Sequence, residues 1–156
     1  MALLRILVDG YSLLHNWPEL APEAARHSEA ARDELIYRLT QYSDAVGTPI
    51  TVVFDGANSA RGRRAKSSPT GLEILFSKAG QTADEVIERA AHRLSAYGEV
   101  LVVTDDSLER ETVSSVGGMT SSCFGFIQTV ESVMTELDRD IKLRNRREGT
   151  SFRRSR

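Results

Sequence analysis

Aspartates recur in this chain wherever a short apolar run ends. LLRILV closes on Asp9-Gly10, ITVVF on Asp55-Gly56, and VLVV on Thr104-Asp105-Asp106. A further acid, Asp84, stands where Thr82-Ala83-Asp84-Glu85 opens a helical pattern. If the runs are parallel strands, their ends share one sheet edge, and Asp84 can point to the same place. Like charges gathered there repel, and without a counter-charge one or more would protonate. A divalent cation is the natural compensation, because Mg²⁺ takes carboxylate oxygens and keeps several waters. Such an ion activates water and neutralises charge on a phosphate undergoing in-line displacement. Each acid also has a plainer reading. Asp9-Gly10 and Asp55-Gly56 are turn formers, Asp84 complements a helix dipole, and Asp106 is an N-cap with Glu109 completing the box. The coincidence of acids at three strand ends favours a metal centre over those separate explanations.

The elements that must position these acids follow from periodicity. Residues 3–8, 50–54 and 100–103 are branched apolar runs of strand length, and 73–76 (EILF) is a shorter one. Ala31, Leu35, Leu39 and Tyr42 recur at helical spacing from Ser28 to about Val46, and Gly47-Thr48-Pro49 stops them. Thr82 and Glu85 form a capping box ahead of Val86, Ile87, Ala90, Ala91 and Leu94. A short helix is expected over 107–115, a weak strand near 119–122, and a last helix over about 125–143. Apolar strands alternating with amphipathic helices predict a central, mostly parallel sheet covered on both faces.

The chain's 156 residues fit a single domain able to bury a full core. One cysteine, Cys123, permits no internal disulfide and reads as a buried structural thiol. No apolar run reaches membrane-spanning length, and the start lacks a long signal-type apolar stretch, so a cytoplasmic location is expected. Phosphate-binding GxxxxGK[ST], dinucleotide-binding GxGxxG, GxSxG and Cys/His zinc patterns are absent, so no nucleotide cofactor is expected. His15, His27 and His92 are scattered and build no triad; His15 lies near the first strand end as a candidate substrate contact, while His27 and His92 read as ordinary helix-surface groups.

Charge is unevenly distributed. Residues 142–156 hold seven Lys/Arg against Glu148, a charge of +6, so residues 1–141 hold −8 of the total −2. The segment 61–66 (RGRRAK) adds four basic residues just after the second strand end. Arg61, Arg63, Arg64 and Lys66 there would hold phosphates near the metal without reading bases.

In order, ILVDGYSLLHNWPEL, VVFDG, QTADEVIERAA and VLVVTDDSLER resemble the YacP-like branch of the NYN family of PIN-like ribonucleases. The resemblance spans about residues 4–143. It implies a three-layer α/β/α PIN-like fold over residues 1–143, with 144–156 as a basic tail, and a Mg²⁺ or Mn²⁺ site. Motif by motif, it implies catalytic and metal-binding roles for Asp9, Asp84 and Asp106, with Asp55 as a further ligand; Asp105 is an extra acid where the family motif reads VTSD, and its strand-end position makes it a further ligand candidate. Glu88, one turn beyond Asp84, is an outer-shell candidate. Ser12 stands where the family usually has Asn and is a substrate-contact candidate of shorter reach. The implied activity is a metal-dependent endoribonuclease cleaving single-stranded RNA or mRNA, with association to the ribosome. The alternative is a catalytically weakened RNA- or ribosome-binding module. A receiver-type signalling domain would need a paired acidic motif after the first strand and a lysine after the last, and neither is present.

Overall fold

The computed structural model describes residues 3–56, 66–67 and 71–154. Along the chain it forms β1 (Arg5–Asp9), α1 (Gly10–His15), α2 (Glu29–Val46), β2 (Ile50–Phe54), β3 (Lys66–Ser67), β4 (Leu72–Phe76) and α3 (Ala83–Leu94). β5 (Val100–Val103), α4 (Ser107–Ser115), β6 (Met119–Ser121) and α5 (Cys123–Arg154) follow. The strands make one sheet in the order β3-β4-β2-β1-β5-β6, parallel throughout except for the two-residue edge strand β3.

Strand alternation sends side chains to two separate cores. Ile6 and Val8 of β1, with Ile50, Val52 and Phe54 of β2, pack under Leu13, Leu35, Leu39, Phe126 and Val130 of α1, α2 and α5. Leu7, Val53, Val100 and Val102 face the other way, under Ile87, Ala91 and Val113 of α3 and α4. Both faces are therefore covered, giving the expected α/β/α layering. No described helix is long and apolar enough to cross a membrane.

Helix ends agree with the sequence signals. The Ser28 hydroxyl accepts from the Ala31 amide at 3.2 Å, and Thr82 accepts from Glu85 at 3.2 Å. Gly47 closes α2 in the left-handed conformation, at φ 72°.

Three elements differ from expectation, the first being β3, since no strand is expected over 66–67. Asp9-Gly10 is no turn, because β1 passes directly into α1 with Asp9 as N-cap. The last helix starts at Cys123 and continues to Arg154, so the expected boundary between domain and tail at 143/144 falls inside α5. No Gly or Pro interrupts residues 126–148, and the helix propagates although its apolar stripe has left the core. Residues 135–148 are exposed around the whole circumference.

The β1–α1 junction depends on the absence of a side chain. A Cβ on Gly10 would lie 2.3 Å from the Phe54 ring, itself fully buried. Gly10→Ala is expected to displace that ring or α1 and to cost about 1–3 kcal/mol. Denaturant unfolding checks this, and an unchanged midpoint would contradict the close packing.

Candidate metal centre

The local fold aims Asp9 before any charge effect operates. As N-cap of α1, its Oδ1 accepts the Ser12 amide at 3.3 Å. Asp84 stands in the first turn of α3, the helix laid across β1, β2 and β5. The third member is Glu109, in the first turn of α4. One carboxylate oxygen from each of Asp9, Asp84 and Glu109 lies within 4.8 Å of the other two.

Glu109 was read from sequence as the capping partner of Asp106, and only half of that reading matches the geometry. Asp106 Oδ1 accepts from the Leu108 amide at 2.9 Å and the Glu109 amide at 3.3 Å. The Glu109 carboxylate, however, turns inward and takes a 2.8 Å hydrogen bond from the Thr104 hydroxyl at Oε2. Thr104 Oγ1 in turn accepts the Asp106 amide at 3.1 Å, the bond a reciprocal capping glutamate would have made. Glu109 is 1 % exposed, and its Oε1 has no hydrogen-bond partner among the described residues. The available signal was its i,i+4 spacing to Val113, which places it on the buried side of α4.

The other strand-end acids take different surroundings. Asp105 Oδ1 accepts the Cys123 amide at 2.9 Å, at the start of α5, and lies 3.6 Å from the Arg110 guanidinium. Asp55 is exposed and accepts the Ser77 hydroxyl at 3.2 Å. Asp106 is committed to capping α4. Glu88, half-buried on α3, has its carboxyl pushed up by burial and then by the charges of Asp84, Asp106 and Glu85. Ser12 contacts Asp9. Arg61, Arg63 and Arg64 lie outside the described residues, and Lys66 begins the edge strand β3 opposite Ile74. Cys123 is fully buried, and its thiol is pushed up to about 12 by desolvation and by Asp105 and Asp9, which makes it inert.

The cluster is electrostatically incomplete. Burial raises the Asp9 carboxyl despite the lowering effect of the Ser12 amide and hydroxyl, and Asp84 raises it further. Glu109 is pushed up to about 8, first by burial, with Asp84 and Asp9 adding to it against the Thr104 hydrogen bond. A divalent cation fits this set: all donors are hard oxygens, gathered within 4.8 Å of one another, and one of them is buried without a partner among the described residues.

Both acids are raised, so without metal the native state holds protons that the unfolded chain releases. The stability from this source is full below the ordinary carboxyl value of 4.5 and falls as pH rises towards 8. In chelator, the melting temperature is expected to fall across that window, and Glu109→Gln should flatten the fall. Added Mg²⁺ or Mn²⁺ should raise the wild-type melting temperature more at pH 8 than at pH 5. Identical pH profiles for the two proteins would contradict the assignment.

Comparison with known proteins agrees with this architecture. The family model described as the YacP-like NYN domain matches residues 6–155. The uncharacterized protein YacP of Bacillus subtilis (strain 168) is 32 % identical over 138 residues, covering 88 % of this chain and 81 % of the relative. The crystal structure of Rae1 (YacP) from Bacillus subtilis superposes with a TM-score of 0.75 at 31 % identity, over 91 % of this chain and 80 % of that one. A single-substitution mutant of the same protein gives 0.73 at 30 % identity, over 88 % and 80 %. The fold is thus the PIN-like α/β/α arrangement, and the chain belongs to the YacP-like NYN domain family, a nuclease family with an RNA-related role.

Proposed function

We propose that this protein is a metal-dependent endoribonuclease acting on single-stranded RNA, with Asp9, Asp84 and Glu109 holding Mg²⁺ or Mn²⁺. The observation that carries the reading is the buried Glu109 Oε1, without a partner among the described residues, within a three-carboxylate cluster at the strand ends. When bound, the ion supplies charge neutralisation at the scissile phosphate and a more acidic water.

The chain's own residues do the positioning. Ser12 fixes the Asp9 carboxylate through its amide. Thr104 fixes Glu109, and Asp106 fixes the helix turn that carries it. Asp106 and Glu88 stand at the rim, where they act through the water shell, and Asp55 and Asp105 serve the edge without direct ligation. Arg61, Arg63, Arg64 and Lys66, which follow the second strand end in sequence, take substrate phosphates. The exposed end of α5, with Lys142, Arg144, Arg146 and Arg147, offers a second phosphate-binding surface. mRNA is the substrate class and the ribosome a docking partner in this reading, the basic arm of α5 being suited to polyanionic RNA.

The expected outcome is cleavage of mixed RNA by the purified protein with Mg²⁺ or Mn²⁺ and none with chelator. Asp84→Asn and Glu109→Gln should each reduce the rate by more than the roughly 10–100-fold typical of losing an outer partner. Asp106→Asn, which still caps a helix, should stay within that smaller range. Gel-resolved cleavage rates, with thermal melts as the folding control, measure this. Full activity of Glu109→Gln would remove Glu109 from the centre.

A further inference from the structure

Residues 16–28, between α1 and α2, form neither helix nor strand, yet they are firmly held. The Arg26 guanidinium donates to the carbonyls of Leu14, Trp17, Ala21 and Ala24. Trp17 and Leu20 are buried beneath the segment, and Ala21 is held at φ 52°, which non-glycine residues seldom adopt. A long, well-fastened loop in a small domain more often serves a site than fills space. This one delivers His27 immediately before the N-cap of α2, at the sheet edge that bears the acids.

His27 ends a ladder of rings that climbs from the core. Phe76 stacks on Phe54 with centroids 5.6 Å apart, and Phe54 meets Tyr11 edge-on at 5.0 Å. Tyr11 meets His27 at 4.7 Å, tilted by 48°. Phe54 is fully buried, Tyr11 half-buried and His27 exposed. Tyr11 lies two residues beyond Asp9, in the helix that Asp9 caps, so the ladder ends at the same sheet edge as the carboxylate cluster, on the face covered by α2, while Asp84 and Glu109 come from α3 and α4 on the other face. Its top is locked by Arg32, which donates to the Tyr11 hydroxyl at 3.2 Å and to the His27 carbonyl at 2.8 Å. Arg32 is 9 % exposed and pairs with no carboxylate among the described residues. A nearly buried cation is costly unless its hydrogen bonds serve a definite geometry.

We propose that His27, backed by Tyr11, is a stacking platform for an unpaired nucleobase of the RNA strand that enters the carboxylate cluster. The proposal rests on the reading of that cluster as an RNA-cleaving centre. An aromatic face accepts any base, so the platform adds affinity with little sequence preference. Duplex RNA keeps its bases inside the stack, so the fitting partner is single-stranded. A ladder that served packing alone would be complete at Tyr11, and the exposed His27 ring would be dispensable for RNA.

The test uses the full chain with single-stranded oligoribonucleotides carrying 2-aminopurine at successive positions, in Mg²⁺. Fluorescence quenching reports stacking, and cleavage of the same strands gives kcat and KM. Wild-type protein should quench the probe at one position near the cut. His27→Ala should abolish that quenching and raise KM about tenfold with kcat little changed. His27→Trp should restore both. If wild type cleaves and His27→Ala matches it in quenching and KM, the platform is overturned while the nuclease reading stands. If wild type neither binds nor cleaves the strands, the nuclease reading falls and the platform with it.

Discussion

Crowding of carboxylates in a partly dry place governs this structure. Asp9, Asp84 and Glu109 arrive from three different elements, yet one oxygen of each falls within 4.8 Å of the others. In a metal-free state the repulsion is relieved only by retained protons, which is why burial and neighbouring charge raise Asp9 and Glu109. The fold accepts that cost because the surrounding contacts over-determine it. Thr104 is fully buried and couples Glu109 to the Asp106 amide, while Asp106 caps α4. Asp105 meanwhile ties the same strand end to the first turn of α5. Four consecutive connections thus meet at residues 104–106, and a disturbance there reaches the centre, α4 and α5 together.

The three-layer frame was legible because strong local signals agreed with the tertiary arrangement. Branched runs gave β1, β2 and β5, and the Ser28 and Thr82 caps gave the starts of α2 and α3. β3 was not legible, since two residues carry no period. α1 was hidden because Asp9-Gly10 looks like a turn when the Phe54 ring above Gly10 is not known. The end of α5 was misplaced because an apolar stripe marks where a helix touches the core and not where it stops.

At the site, sequence located the edge and two acids of the cluster, Asp9 and Asp84. Strand-end position alone could not separate an aspartate that faces the centre from one that caps a helix or anchors its neighbour, as Asp106 and Asp105 do. Glu109 was disguised by its place in a capping pattern. Only the competition of Thr104 for the Asp106 amide frees its carboxylate to turn inward. The same edge carries the Tyr11–His27 ring pair, while positive charge is concentrated in the sequence segments 61–66 and 142–156.

The proposed function depends on whether Asp9, Asp84 and Glu109 together hold a divalent ion. Crystals of the wild-type protein grown with Mn²⁺, measured at the manganese absorption edge, locate it directly. The account predicts an anomalous peak bounded by the carboxylates of Asp9, Asp84 and Glu109, with Thr104 still bonded to Glu109. A peak beside Asp55, Asp105 or Asp106 with Glu109 outside its coordination, or no peak at saturating Mn²⁺, would contradict it.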